Sequence, residues 1–298
     1  MLRAGAGLLI LATATSIPAA AARGCGPAIV QLTVLDQGGN AVSGLAPGDF
    51  KVHVKNQNVN IAAMSYGVFP HSTLLLVSRT GSMGESLKLE MAKRLAAAVS
   101  STAPGTVMAG SFAADLSAVI DGRSGDPFAV GPPVSDEKRN AVYDAVVAGM
   151  TRVAMHRGDA VVVFTDSPDN GSKTAAAEVR QRLANSGVRL FVVALPATNA
   201  GGMQPFVELA DASGGAFLVP LVVDATASGV VISLPQIDAA VASFTHSYAQ
   251  YSNVYQLETD QDGQDKPMPL RVEVDRRKIA GGKVVAPAAL APCSAVGH

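Results

Sequence analysis

Ser78, Arg79, Thr80, Gly81, Ser82 and Met83 stand between the apolar run Ser72–Val77 and the start of an amphipathic segment. Small hydroxyl residues and a glycine at the carboxyl end of a buried strand are where an open α/β sheet places its ligand. Further along, Asn140 precedes Ala141-Val142-Tyr143-Asp144, and the run Val161–Phe164 ends in Thr165-Asp166-Ser167-Pro168-Asp169. Hydroxyl, amide and carboxylate oxygens are the donors that hard cations take. The same residues admit other chemistry. Ser78, Thr80 and Ser82 could simply cap a helix. Thr80-Gly81-Ser82-Met83-Gly84 is one residue away from Gly-x-Ser-x-Gly, and Ser82, Asp166 and His246 follow the order of a hydrolase triad. Against a hydrolase, Thr80 occupies a position that needs a small residue, and His246 falls inside a helical stripe. A phosphate site at the helix start lacks Gly-Lys-Ser/Thr, with only Arg79 and Lys88 as nearby cations.

The elements that must carry these residues are legible from periodicity. Leu74–Val77, Ala160–Phe164 and Leu190–Leu195 are apolar without alternation, as strands covered on both faces are. Helical stripes separate them: Leu87, Met91, Leu95, Val99; then Val142, Val146, Met150, Val153; then Val179 and Leu183, stopped by Asn185-Ser186-Gly187. Phe206, Leu209 and Ala210 start another, closed by Gly214-Gly215, and Ile237, Val241, Phe244 and Tyr248 mark the last. Strands alternating with helices predict a doubly wound, mainly parallel sheet of the α/β class.

The chain ends read differently. Val30, Leu32 and Val34, then Phe50, Val52 and Val54, then Leu270, Val272 and Val274 alternate with polar residues, so one face of each strand is buried. Each set alone is too small for a core, so the N- and C-terminal segments are expected to pair into one small β-rich module. Tyr248, Tyr251 and Tyr255 are expected to pack between it and the α/β unit. The boundaries read 1–22 leader, 23–68 N-terminal β segment, 69–246 α/β domain, and 247–298 C-terminal β segment and tail. Arg3, the apolar Ala4–Ile17 and the small residues Ala19–Ala22 give residues 1–22 the form of a secretory signal cleaved near Ala22. The cysteines are Cys25 and Cys293; in an oxidising compartment a pair suggests one bridge, the alternatives being free thiols or a lipidated Cys25. With a net charge of −1 and scattered basic residues, nothing draws the protein to nucleic acid. His53, His71, His156 and His298 have no metal spacing and read as surface or loop residues.

Taken together the motifs carry a resemblance. Leu74-Leu75-Leu76-Val77-Ser78-Arg79-Thr80-Gly81-Ser82-Met83 resembles the first metal loop of von Willebrand factor A-type (VWFA) domains, Asp-x-Ser-Gly-Ser-Met after an apolar strand. Asn140-Ala141-Val142-Tyr143-Asp144-Ala145 is similar to the second loop, and Thr165-Asp166-Ser167-Pro168-Asp169 to the third. Leu209-Ala210-Asp211-Ala212-Ser213-Gly214-Gly215 resembles the segment before that family's last strand, and Val34-Leu35-Asp36 with Asp49-Phe50 the leader strands of its secreted, acidobacterial-type bacterial branch. The resemblance covers residues 28–280. It implies a magnesium-type adhesion site at which Thr80, Ser82 and Asp166 keep their ligand types, while Ser78 replaces an aspartate and Asn140 a threonine. Losing one carboxylate beside a divalent ion removes roughly 8 kcal/mol of gross attraction at ~4 Å and an effective dielectric of ~20. The site is therefore read as degenerate: no cofactor is expected, and Mg2+ is held weakly unless Asp169, Glu85 or a partner's carboxylate supplies the missing charge.

The functional expectation is an exported, non-catalytic protein that mediates protein–protein interaction or adhesion. Its binding face is the cleft at the C-terminal edge of the sheet, with Ser78, Arg79, Gly81, Asn140 and Asp169 around Thr80, Ser82 and Asp166. It is expected to be secreted or periplasmic, not an integral membrane protein once the leader is removed. The alternatives are a structural component of a cell-envelope assembly docking through the β module, or a serine hydrolase using Ser82.

Overall fold

The computed structural model describes residues 25–123, 137–197, 201–221, 231–279 and 281–293. The leader, residues 1–22, and His298 lie outside the described residues. The strands of the chain ends come first: β1 (Pro27–Leu35), β2 (Phe50–Val54), β3 (Gln57–Val59) and β4 (Ile61–Val68). An α/β unit follows, running β5 (Thr73–Ser78), α1 (Lys88–Thr102), β6 (Val107–Phe112), β7 (Ile120–Asp121), α2 (Val142–Arg152), β8 (Ala160–Thr165), α3 (Ala176–Ser186), β9 (Arg189–Ala194), α4 (Gln204–Ser213), β10 (Ala216–Leu218) and α5 (Leu234–Gln250). Then come β11 (Asn253–Asp262), β12 (Met268–Val274), the short α6 (Arg276–Ile279), β13 (Lys283–Val285) and β14 (Ala289–Leu290). Helix α5 runs past residue 246, so that boundary falls inside a helix and the break lies in the turn before β11.

The central sheet has the order β10-β9-β8-β5-β6-β7, parallel except for the β6–β7 pair. Its unalternating strands are explained by cover on both faces. Leu75, Val77, Val162, Phe164, Phe191 and Val193 pack against α1 and α5, whereas Leu74, Leu76, Val161, Val163, Leu190 and Val192 pack against α2, α3 and α4. The helices end where the sequence predicts: Gly187 and Gly214 sit at positive φ (69° and 76°) as left-handed C-caps. One stripe is corrected at its first member. Leu87 is exposed, in the left-handed region before α1, and the buried position is taken by Lys88, ahead of Met91, Ala92, Leu95, Ala96 and Val99.

The chain ends form one module of two sheets, β13-β1-β11-β4 and β14-β12-β2-β3. Alternating residues of β1, β2, β11 and β12 share its core: Val30, Leu32 and Val34, with Tyr255 and Leu257 beside them in the same sheet, face Phe50, Val52, Val54 and Leu270 of the other. A disulfide joins Cys25 to Cys293, with their Cα atoms 5.5 Å apart. The tyrosines divide rather than all bridging: Tyr255 belongs to the core of the module, Tyr248 to that of the α/β unit, and Tyr251 takes a hydrogen bond from Thr33 of β1 on its carbonyl. Tyr255 meets the Phe50 ring edge-on and donates its hydroxyl to the Val42 carbonyl, while Tyr248 and Tyr251 pack edge-on against Phe191 of β9. The module lies beneath the amino-terminal ends of β8 and β9, where Arg157 donates to the carbonyls of Ala291 and Pro292, and Arg189 to that of Tyr251.

His71 lies in the loop entering β5, as its reading as a surface or loop residue expects, but it is not fully exposed. Its ring is largely covered and Nδ1 donates to the Phe69 carbonyl at 3.0 Å. Burial, with the Arg189 cation adding repulsion, pushes its pKa down to about 4. The unfolded chain takes up a proton on this ring below about pH 6.5 that the folded chain refuses until about pH 4, so stability from this residue is full above the first value and lost on descending to the second. Urea unfolding at about pH 7 and about pH 4.5 should show a loss of roughly 2–3 kcal/mol that is absent from His71→Asn. Separately, Cys25→Ala with Cys293→Ala should lower stability by about 2–4 kcal/mol in non-reducing buffer, with no effect once the wild type is reduced.

Candidate functional site

Chain order places the site. After β5 the chain goes outward to β6 on one side, then returns to β8, β9 and β10 on the other, so β5 and β8 flank the switch point where the loops diverge and leave a crevice. The loop after β5 carries Ser78–Ser82, the loop after β8 carries Asp166–Ser172, and Asn140 enters from the approach to α2. Gly171 lets the last two loops touch: a Cβ there would lie 2.9 Å from the Arg139 Cβ and 3.1 Å from the Asn140 nitrogen.

The structure brings Ser78, Thr80, Ser82, Asn140 and Asp166 into one hydrogen-bonded chain. Ser78 Oγ donates to Asn140 Oδ1 (3.1 Å) and lies 3.4 Å from the Thr80 hydroxyl, which is 3.1 Å from that of Ser82. Ser82 Oγ in turn donates to Asp166 Oδ1 at 3.0 Å. Asn140 is fully buried and works as a strut. Its amide nitrogen lies within 3.0 Å of Thr165 Oγ1, the Ser167 carbonyl and Ser167 Oγ, and its backbone N–H donates to Asn170 Oδ1. An asparagine here spans two loops, which a threonine hydroxyl is too short to do. Arg79 and Gly81 are anchored through their backbone N–H groups to the carbonyls of Phe112 and Glu137.

The residue that sequence reasoning missed is Lys88. Its ammonium donates to Asp166 Oδ2 at 2.9 Å, and both side chains are 2% exposed. A second carboxylate, Glu85, lies 3.3 Å from the same nitrogen but is 64% exposed. A buried ion pair survives only where geometry and further hydrogen bonds offset desolvation; here Asp166 has one oxygen on Ser82 and the other on Lys88. The signal was present in the spacing. Lys88 precedes Val99 by eleven residues, close to three helical turns, and so falls on the buried stripe.

Two expected contributors stand elsewhere. Asp169 accepts from the Tyr143 N–H (2.9 Å) and from Ser172 (backbone 3.2 Å, hydroxyl 2.5 Å), so it caps the start of α2 and supplies no charge to the cleft. His246, on α5, has its Nε2 3.3 Å from Asn40 Oδ1, next to the β module, and is not a partner of Ser82. The triad order Ser82, Asp166, His246 is therefore not a triad in space. The donor set does not fit a divalent cation either. Asp166 is committed to Ser82 and an ammonium, and at ~4 Å that ammonium would repel a dication by roughly 8 kcal/mol at an effective dielectric of ~20. Among the described residues, the sole grouping of three His, Cys, Asp or Glu ligand atoms is Cys25, Asp265 and Cys293, whose sulfurs are bonded to each other.

No family model matches the chain, and no curated protein matches it. Solved structures do. It is similar to an aerotolerance-related membrane protein from Bacteroides fragilis NCTC 9343, at 16% identity over 62% of this chain and 98% of that one, with a TM-score of 0.41. It is similar to the SpRpn10 VWA domain at 12% identity, over 58% and 94% of the two chains, TM-score 0.40. It is also similar to the ArnB paralog VWA2 from Sulfolobus acidocaldarius at 10% identity, over 81% and 74%, TM-score 0.44. The fold assignment rests on the strand order and register above: a doubly wound α/β domain with a β module built from both chain ends. Among the described residues, no helix is long and apolar enough to cross a membrane.

Asp166→Ala leaves a buried ammonium with only an exposed carboxylate to pair with, and should cost about 3–5 kcal/mol in urea unfolding. Ser82→Ala removes one hydrogen bond and should cost only about 1 kcal/mol. Equal costs would mean that the ion pair does not hold the cleft together.

Proposed function

We propose that this is an exported, non-catalytic A-type domain protein that binds a protein partner across the carboxyl edge of its sheet, with metal binding weak or lost. The observation that carries the reading is where four of the seven large exposed apolar side chains among the described residues stand, Tyr66 and Val68 of β4 and Ile120 of β7 lying elsewhere. Leu87 lies before α1, Val219 just after β10, and Val231 and Leu234 at the start of α5, all at the sheet edge that holds the cleft. Exposed apolar groups on the same sheet edge as a polar centre suit a protein partner better than a small substrate. Arg79, Gly81 and Ser82 supply polar groups at that centre, and the resemblance of the three loops to VWFA metal loops supports the same face. The paired cysteines and the leader-like residues 1–22 support a secreted or periplasmic setting.

Pull-down from native envelope extract with the tagged protein, read by mass spectrometry, tests the face. Ser82→Arg combined with Leu87→Asp should remove the enriched partner, and EDTA should leave capture by the wild type unchanged. A partner retained by that variant would place binding elsewhere, on the β module first. Fluorophosphonate probes should fail to label Ser82, and labelling there would restore the hydrolase reading.

A further inference from the structure

We infer that Lys88 is this protein's built-in replacement for a metal: its ammonium supplies, covalently tethered, the positive charge that a hard divalent cation would bring to these three loops, and its presence excludes that cation. The inference concerns the floor of the cleft and goes beyond the proposed partner-binding role; it holds whatever binds the rim.

Several observations converge. Lys88 is among the largest fully buried side chains of the protein, in a class of residue that is almost never buried unless paired. Its nitrogen sits on Asp166, the one charged member of the oxygen-rich chain Ser78–Thr80–Ser82–Asp166. Glu85 adds a second anion from the solvent side. The backbone is bent to deliver it: Ser86 and Leu87 both adopt left-handed conformations (φ 48° and 59°), which side-chain-bearing residues rarely enter, and Lys88 follows as the first residue of α1. That turn leaves Leu87 exposed and turns Lys88 inward, the reverse of what hydrophobicity favours. A tethered ammonium has an effective concentration no free ion matches, and it removes any dependence of the loops on ion supply. With the lysine head removed, Thr80, Ser82, Asp166 and Glu85 are hard oxygen donors that suit Mn2+ or Mg2+.

The test is Mn2+ binding to the intact chain, by calorimetry and by the loss of the free-ion paramagnetic resonance signal, with thermal melts in parallel. Wild type and Lys88→Arg should show no binding up to about 1 mM ion, whereas Lys88→Ala should bind at least about tenfold more tightly than that limit. Mn2+ should raise the melting temperature of Lys88→Ala by a few degrees and leave wild type unmoved. Adding Asp166→Asn to Lys88→Ala should abolish both effects. Wild-type binding, a folded Lys88→Ala that ignores the ion, or a response that survives Asp166→Asn would each overturn the inference. Should Lys88→Ala fold only when Mn2+ is supplied, the inference stands; should it remain unfolded with and without the ion, it falls. Partner capture and ion binding are read separately, so loss of one does not decide the other.

Discussion

A lysine and an aspartate facing each other out of reach of water set the character of the cleft. Each would be costly to bury alone, so the loop after β5, the first turn of α1 and the loop after β8 must stay in register for either charge to be tolerated. The hydroxyls of Ser78, Thr80 and Ser82 complete the arrangement by linking Asp166 to Asn140, whose amide reaches the opposite loop. Remove the pair and the crevice at the switch point is a set of loosely related oxygens. With it, the crevice has a fixed polar centre.

Much of this was legible before any coordinates. Apolar runs without alternation gave the doubly covered strands, glycines after Leu183 and Ser213 gave the helix ends, and period-two patterning gave the strands of the module. The convergence of Ser78, Thr80, Ser82, Asn140 and Asp166 was implied by the resemblance of the three loops to VWFA metal loops. Lys88 was not, and the reason is geometric. Steps of four residues drift about 40° each around a helix, so a stripe extrapolated back from Val99 to Leu87 swings roughly 120° off the buried face. A charged residue on the true stripe then reads as an interruption of the pattern. Asp169 misled for a different reason: a carboxylate in a site loop looks like a ligand, and only its contacts reveal a helix cap.

The two ends of the parallel sheet divide the work. At the carboxyl end Ser78, Thr80, Asn140 and Asp166 are turned inward and bonded to one another. At the amino end Arg157 and Arg189 are covered by the last strands and the tail, with the Cys25–Cys293 bridge closing the same module. The described chain ends, Cys25 and Cys293, both lie in the module.

The interleaving of the β module has a consequence for how the chain is made. β1 lies between β11 and β13, and β2 pairs with β12, partners separated from them by more than half of the polypeptide. As the chain emerges from the ribosome, β2 can pair with β3 at once, whereas β1 keeps an apolar face without its partners β11 and β13 until the last residues arrive. The α/β unit, whose contacts are nearer in sequence, can condense during that interval. β1 is therefore the strand left waiting longest, its pairing complete only when β13 has been made.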